Sequence, residues 1–261
     1  MNRFILFLIF LVIQQSEAKL VFQKNITNGL KLKKHVFYIT EDDKSKQPVV
    51  FYILEIKPGK RRLEVQLGDD RINGREKLTE MVKRRKAIAG VNADFYTEGG
   101  PQGGINIKGK WKSKVKGHWP NVIFRQFKNK TRSIVFYDHT SADRMRKTYY
   151  ACSGSTMILE NGKPVLNGVT SPHSFAYGRH PRTIIARKSN GDFSLIVVDG
   201  RQKSSAGLTL PEASRFLLKL GYRWALNLDG GGSSTMVIRN RIMNNPSDGK
   251  ERSFGSGILV F

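Results

Sequence analysis

The chain has 261 residues, enough for one large domain or two small ones. Lys and Arg number 45 against 21 Asp and Glu, so the formal net charge is +24, a surplus that attracts polyanions. The only cysteine, Cys152, excludes an intramolecular disulfide, and we interpret it as a small core residue rather than a nucleophile.

The N-terminus has the pattern of an export signal. Arg3 supplies a positive start, Phe4 to Ile13 is an unbroken apolar run, and residues 16–18 place small side chains at a cleavage site. The run is about half the roughly 20 residues of a membrane span. We predict a signal peptide over 1–18, no membrane span after cleavage, and a secreted or periplasmic protein. The alternative is an uncleaved N-terminal anchor.

The first half of the chain predicts mainly strands. After a polar stretch, two apolar runs flank the turn Lys57-Pro58-Gly59-Lys60, as in a pair of strands. A helix follows, with Leu78, Met81 and Val82 on one side. The elements predicted here are strands 49–56 and 63–67, a helix over 75–86, and strands 87–91, 122–127 and 133–137.

The second half contains clearer signals. Asn161-Gly162 predicts a hairpin between strands 156–160 and 163–166, and residues 189–192 predict another between 183–187 and 193–198. Thr209 and Glu212 fit a capping box that opens a helix, and Gly221 ends it. Further strands are predicted at 224–228, 236–239 and 257–261.

Many antiparallel strands with few helices indicate an α+β fold: a largely antiparallel sheet with a few packed helices, in a single catalytic domain. We divide the chain into the signal peptide 1–18, N-terminal strands and a helix of unassigned role at 19–86, and the domain at 87–261.

Part of the positive charge is ordered along the chain. Lys108, Lys110, Lys112, Lys114 and Lys116 alternate, so on one strand they would share a face. Residues 83–86 form a second basic cluster. The pattern fits either a solvated face or a track for an anionic polymer such as a phosphate-linked glycan, lipopolysaccharide or nucleic acid. No recognised nucleic-acid motif accompanies the charge.

The most unusual segment is Asn227-Leu228-Asp229-Gly230-Gly231-Gly232-Ser233-Ser234-Thr235. A predicted apolar strand delivers a carboxylate to its end, and three glycines follow at once. Glycines let the backbone approach a ligand, and successive N–H groups can bind an anion. Alone, such a run is also typical of a flexible turn. Its place after the strand favours a site.

This segment resembles the signature of the phosphodiester glycosidase family. Other segments match in the same order, and the resemblance covers 87–261. They are residues 90–96, where Ala93 and Asp94 stand in place of two family glycines, Arg182-Thr183, residues 198–201, residues 207–210 and Glu251-Arg252. The resemblance implies a hydrolase that cleaves sugars linked to phosphate through their anomeric carbon.

That chemistry suits the residue types present. An oxocarbenium-like transition state requires a carboxylate that stabilises or attacks it, and a phosphate leaving group requires charge neutralisation by Arg and backbone N–H groups. The candidate catalytic residues are Asp229, then Asp199 and Asp94, with Glu98 weaker. The candidate substrate- and phosphate-binding residues are Asn92, His180, Arg182, Thr183, Arg201, Asn227, Gly230, Gly231, Gly232, Ser233, Ser234 and Arg252.

Several of these residues also have purely structural interpretations. Each Arg could form a structural salt bridge, and Asp199 could be a turn residue before Gly200. No cofactor is required, although Asp229, Asp199 or Asn227 could bind a divalent cation. The expected partner is a phosphate-linked glycan or other anionic polymer, in an envelope or extracellular polysaccharide. Two competing functions are a non-catalytic module that binds such a glycan and a nucleic-acid-binding protein.

Overall fold

Antiparallel sheets dominate the structure. The computed structural model describes residues 19–40, 45–113, 119–137, 148–165 and 173–261, with elements numbered in chain order. An eight-stranded sheet has the order β1-β2-β3-β17-β16-β18-β14-β15. Its strands are β1 (Lys19–Thr27), β2 (Leu30–Thr40), β3 (Lys46–Ile56), β14 (Thr156–Glu160), β15 (Lys163–Pro164), β16 (Arg182–Lys188), β17 (Phe193–Val198) and β18 (Tyr222–Asn227).

Two five-stranded sheets complete the frame. The second sheet has the order β20-β19-β6-β22-β4, and the third the order β10-β9-β13-β11-β12. The second contains β4 (Leu63–Leu67), β6 (Ala89–Asn92), β19 (Met236–Ile238), β20 (Arg241–Ile242) and β22 (Ser256–Val260). The third contains β9 (Ile105–Ile107), β10 (Lys110–Ser113), β11 (Asn121–Phe127), β12 (Lys130–Tyr137) and β13 (Tyr150–Ser153).

Short ribbons and helices accompany these sheets. The ribbons pair β5 (Glu76–Lys77) with β21 (Ser253–Phe254) and β7 (Tyr96–Thr97) with β8 (Gly100–Pro101). The helices of the described residues are α1 (Leu78–Arg84), α2 (His173–Tyr177) and α3 (Leu210–Lys219), with 3₁₀ turns at Gly68–Asp70 and Gly231–Ser233. The predicted α+β class is therefore confirmed.

The central strands of the first sheet are buried on both faces. Ile185, Leu195 and Val197 face an inner core between the sheets, whereas Ile184 and Ile196 face the cluster that α3 covers. This double burial explains why apolar residues are consecutive, at Ile184 to Ala186 in β16 and at Leu195 to Val198 in β17, rather than alternating with polar ones. Both predicted hairpins and the Thr209–Glu212 capping box are confirmed.

The interpretation of residues 19–48 as only a polar stretch is wrong. β1 and β2 form a long hairpin, and Asn28-Gly29 makes its turn, with Gly29 at φ +74°. β1 gave no strand signal because it is an edge strand, exposed from Lys19 to Asn25. β3 pairs with β17 and β4 pairs with β22, so the N-terminal strands are part of the first and second sheets.

The expected lysine strand is also corrected. Lys108 and Gly109 form a two-residue turn between β9 and β10, with φ +51° and +77°, so Lys108 does not share a strand face with Lys110 and Lys112. Lys114 and Lys116 lie outside the described residues, as does the predicted signal peptide. Within the described ranges, no helix is both long and apolar enough to cross a membrane.

Two smaller predictions can be compared directly. The helix predicted over 75–86 is shorter, since residues 76–77 pair with β21 and the helix begins at Leu78. Cys152 lies on β13 in the inner core, fully buried, and burial raises the pKa of its thiol. Its interpretation as a core residue is confirmed.

Candidate active site

Asp229 lies where the first and second sheets meet. It follows the end of β18, and its backbone N–H donates to the carbonyl of Ala93 at 2.9 Å. The side chain of Asn92, the last residue of β6, donates back to the Asp229 carbonyl at 2.6 Å. Two strand ends therefore fix the backbone of this residue, as a preorganised catalytic group requires.

The Asp229 carboxylate is half-buried and bound from within its own turn. Burial raises its pKa to about 6, while hydrogen bonds from the Ser233 side chain and the Gly230 N–H, and the charges of Arg252 and Arg75, oppose the rise. A carboxylate with this pKa changes charge near neutral pH, which is typical of catalytic groups.

Close contacts explain the three glycines. A Cβ on Gly230 would lie 2.8 Å from the Pro181 oxygen, and one on Gly232 would lie 2.6 Å from Cζ of Arg252. Gly231 has φ +60°, and its N–H donates to the Pro181 oxygen at 2.9 Å. Since the Gly230 and Gly231 amides are engaged within the protein, the turn admits nearby side chains more than it offers these two amides to phosphate.

Asn92 connects several predicted residues. It is 1% exposed, and its Oδ1 accepts from the Thr183 hydroxyl at 2.7 Å and from the Thr235 N–H at 3.1 Å. With its bond to Asp229, this one side chain links β6, β16 and the segment after the glycines. The structure thus brings Asn92, Thr183 and Asp229 together, as predicted for one site.

Three buried oxygens near the turn have no hydrogen-bond partner among the described residues: Asn227 Oδ1, Ser234 Oγ and Thr235 Oγ1. The Asn227 amide is otherwise held, because its Nδ2 donates to the Ser155 hydroxyl at 2.9 Å. Buried acceptors of this kind are costly unless a water or ligand satisfies them. Their concentration beside Asp229 distinguishes this turn from a simple structural one.

Asp94 organises the neighbouring loop. It is 2% exposed; one carboxylate oxygen accepts from the Phe95 N–H at 2.8 Å and the other from the Gly103 N–H at 3.2 Å. Its own N–H donates to Ser256 Oγ at 3.1 Å. Asp94 is adjacent to Ala93, which contacts Asp229, but both of its oxygens hold backbone. The geometry gives it a positioning role.

Asp199 also acts through other residues. Its Oδ1 accepts from the Asn244 side chain at 3.1 Å and from the Asn245 N–H at 3.0 Å, and burial raises its pKa to about 6. The Asn244 amide donates as well to the Ser234 carbonyl at 3.0 Å. Asp199 therefore supports the turn from behind, by way of Asn244.

His180 and Arg201 form a pair above the glycines. The Ser174 carbonyl lies 3.0 Å from His180 Nε2, and Nδ1 lies 3.0 Å from an Arg201 nitrogen. Because the carbonyl can only accept and the guanidinium can only donate, the ring is neutral with its proton on Nε2. Burial lowers its pKa, consistent with this form. A Cβ on Gly231 would lie 3.3 Å from Arg201, so that cation covers the turn.

The other two predicted arginines differ from each other. Arg182 is 1% exposed, and it donates to the carbonyls of Leu208 at 2.9 Å, Phe175 at 2.7 Å and Gly178 at 3.1 Å. Burial lowers its pKa to about 10. These donors brace loops and are not directed at a phosphate. Arg252 is half-exposed and donates to Asp248 at 2.5 Å, within reach of the turn.

Sequence reasoning missed several nearby residues. Arg75 contributes a positive charge to Asp229, donates to the Thr97 carbonyl at 2.9 Å and lies over the Tyr96 ring. Phe95 contacts the rings of Trp119 and Phe175, with centroids at 5.6 and 6.0 Å. Arg75 has no local pattern that marks it, whereas Phe95 lies in the family-like segment 90–96 without having been chosen as a site residue. Glu98 is exposed on the loop.

A metal site of protein carboxylates is not assembled in the part of the chain that the structure describes. No three His, Cys, Asp or Glu side chains there lie close enough together to hold an ion. The candidate site consists of the half-buried Asp229 carboxylate, the glycine turn that follows it, and the nearby cations Arg75, Arg201 and Arg252.

A carboxylate set among cations at a glycine turn is an arrangement suited to hydrolysis at a phosphate-bearing sugar. Residues 85–261 match the model of the phosphodiester glycosidase family, so the chain belongs to that family. The family is one of hydrolases, in agreement with the resemblance found from the motifs.

Two curated relatives illustrate the similarity. The chain is 28% identical over 184 residues to the SPbeta prophage-derived uncharacterized protein YomE of Bacillus subtilis, covering 69% of this chain and 28% of that protein. It is 42% identical over 67 residues to the N-acetylglucosamine-1-phosphodiester alpha-N-acetylglucosaminidase of Bos taurus, covering 26% of this chain and 12% of the enzyme. The chain thus spans a small part of both relatives.

A solved structure has the same fold. The catalytic domain of the zebrafish N-acetylglucosamine-1-phosphodiester alpha-N-acetylglucosaminidase, auto-inhibited by its pro-peptide, superposes with a TM-score of 0.77 at 20% identity. The match covers 94% of this chain and 87% of that one. The prediction of a single domain is confirmed by this match of folds.

Proposed function

We propose that this protein is an exported hydrolase that cleaves sugar-1-phosphodiesters, breaking the bond between the anomeric carbon and a phosphate oxygen. Its substrate is an envelope or extracellular polysaccharide. The observation that carries the proposal is Asp229: a half-buried carboxylate with a pKa of about 6, fixed between two sheets and surrounded by cations.

The arrangement suggests how the work is divided. Positive charge develops on the sugar as the bond breaks, and Asp229 stabilises it or attacks the anomeric carbon. Negative charge develops on the departing phosphate, and Arg201 and Arg252 lie over the glycines where they can neutralise it. These cations can pack closely on the turn only because Gly231 and Gly232 have no side chains.

Export is supported by the N-terminal sequence, with Arg3, the apolar run from Phe4 to Ile13 and the small residues at 16–18. A substrate outside the cytoplasm fits a chain of formal charge +24, since envelope polysaccharides that carry phosphate are polyanions. Mass spectrometry of the exported protein should find an N-terminus at Lys19. An N-terminus that retains residues 1–18 would contradict cleavage.

The direct test is a product assay. The purified protein is incubated with a UDP-sugar or another sugar-1-phosphate ester in ¹⁸O-water, and we expect free sugar with the label on its anomeric oxygen. A label in the phosphate would mean attack on phosphorus and would overturn the mechanism. If no substrate is turned over but a phosphate-linked glycan is bound, the chain is the non-catalytic module.

A further inference from the structure

A second site lies at the opposite end of the second sheet. A cleft of about 470 Å³ opens there, lined by the cations Arg62, Arg84, Arg85, Lys86 and Lys108 and a single acid, Glu64. β6 begins at this end, and four residues of extended chain, roughly 13 Å, separate Ala89 from the Ala93 that contacts Asp229. The cleft is therefore separate from the candidate active site.

The floor of the cleft is fixed by a buried carboxylate. Glu64 is 6% exposed, and its oxygens lie 2.9 Å from Nε of Arg62 and 2.8 Å from the Gln66 side chain that donates to it. Tyr150 also hydrogen-bonds to Glu64. Arg62 donates in addition to Asn129 Oδ1 at 2.8 Å. The guanidinium is thus held in place before any ligand arrives.

The remaining cations differ in how far they are neutralised. Arg84 is paired with Glu76 at 2.8 Å and with Asp70. Arg85 has carboxylate oxygens only at 3.9 Å, from Glu64, and 4.0 Å, from Asp70, which are too long for hydrogen bonds. Arg85 therefore lines the cleft with a guanidinium that these two acids balance only at long range.

Lys86 and Lys108 add charge at the rim. Neither forms an ion pair with a described residue, and both have a left-handed backbone, at φ +53° and +51°. Lys86 follows α1, and Lys108 lies in the turn between β9 and β10. Two tight turns thus bring lysines from distant parts of the chain to the same cleft as Arg62 and Arg85. Guanidinium and ammonium groups together suit a phosphate group.

An adjoining groove suggests what is attached to that phosphate. The groove has a volume of about 720 Å³ and shares Gln126, Asn129 and Tyr149 with the cleft. The Tyr149 side chain is 48% exposed, so a flat ring with a polar edge borders the anion cleft. Phe127 is also exposed, but a cation already lies over its ring.

We infer that the cleft binds a phosphate group of a phosphate-linked glycan, with an adjacent sugar packed on Tyr149. This goes beyond the proposed hydrolysis, because it assigns a binding site that the reaction does not use. A single-stranded nucleic acid would need a series of open aromatic faces. Of the two exposed aromatic residues among those that line the cavities, Phe127 already has cations over its ring, which leaves Tyr149 and makes the glycan the better fit.

Binding is measured by calorimetry with inorganic pyrophosphate and with a phosphomannan. The background is Asp229→Asn, so the result does not depend on hydrolysis. In the double variant Lys86→Gln, Lys108→Gln, the affinity for each ligand should fall roughly tenfold or more, because charge-assisted contacts are lost. The matched control, Lys110→Gln with Lys112→Gln, removes the same charge from exposed positions on β10 and should change affinity less than about twofold.

A third variant separates the sugar from the phosphate. Tyr149→Ala should weaken phosphomannan and leave pyrophosphate binding intact. Equal losses of affinity in the two double lysine variants would mean that the overall positive charge, and not a specific site, binds the ligands, and would contradict the proposal. No loss in either would mean a solvated surface. Tighter binding of a DNA oligonucleotide than of phosphomannan at equal salt would assign the cleft to nucleic acid instead.

Discussion

The two ends of the second sheet both combine a carboxylate with several cations, but they arrange these groups differently. Beside Asn92, a half-buried carboxylate lies at the centre and cations surround it. In the cleft, the carboxylate of Glu64 is buried, and cations line the opening around it. The first arrangement can meet positive charge on a sugar, and the second can hold a phosphate. Position relative to the surface, more than composition, decides the role of each charge.

Removing the Asp229 charge should have the largest effect. Asp229→Asn keeps the size of the side chain and its acceptor for Ser233, but loses the charge that meets the transition state. We expect kcat to fall roughly a hundredfold or more, with an unchanged unfolding temperature. Asp192→Asn, in the turn after β16, is the control and should retain activity. Near-normal turnover in folded Asp229→Asn would sink the assignment.

The pH profile should locate the active carboxylate. Because the pKa of Asp229 is raised to about 6 and the ionised form is required, kcat/KM should fall about tenfold per unit below pH 6. Asp199 has a pKa of about 6 as well, so the profile is repeated with Asp199→Asn. Survival of the acid limb there assigns it to Asp229, and its disappearance assigns it to Asp199.

A smaller loss is expected from crowding the turn. In Gly232→Ala the new Cβ would displace the ion pair of Asp248 and Arg252, since that position overlaps Oδ2 of Asp248 and lies 2.6 Å from Cζ of Arg252. Activity should fall roughly tenfold, since small misplacements of charged groups are costly to the reaction. Gly99→Ala is the matched control, because its Cβ would meet only the Thr97 side chain at 3.7 Å. Equal activity of the two variants would show that Arg252 is not needed on the turn.

The last effect concerns stability and leaves the catalytic group itself unchanged. Burial raises the pKa of Asp199 from 3.8 to about 6, so the folded state binds the proton more tightly than the unfolded state. The free energy of unfolding therefore falls as pH rises from about 4 to 6, by up to about 3 kcal/mol. Asp199→Asn keeps the acceptor for Asn244 and should remove this contribution. Denaturant unfolding at pH 4.5 and 7 tests it; an unaltered pH dependence would contradict the buried charge.

The sequence predicted those parts of the fold whose signals are local. The Asn161-Gly162 turn and the Thr209–Glu212 capping box each depend on a few neighbouring residues, and both are confirmed. The hairpin of β1 and β2 was missed because β1 is an exposed edge strand and because the buried residues of β2 change face, with Leu32 in the inner core and Phe37 in the cluster that α3 covers. Lys108 was wrongly predicted to lie on a strand, because the alternation of lysines suggested one strand where Lys108 and Gly109 form a turn.

The candidate site divides in the same way. Asp229 and its glycines were found because strand, carboxylate and turn are consecutive. Arg75 and Asn244 were missed because they reach the site from elements that carry no such signal. Their roles, like those of the predicted site residues, stay predictions until the variants are measured.

The spacing fixed by β6 has a consequence for long substrates. The strand is hydrogen-bonded on both sides, to β19 and β22, so the cleft and Asp229 are held a constant distance apart. A polymer anchored in the cleft presents its next linkages to Asp229 at a high effective concentration. A phosphate-linked glycan long enough to span both should therefore show a lower KM than a single sugar phosphodiester. Raising the salt concentration, which weakens the anchor, should narrow that difference.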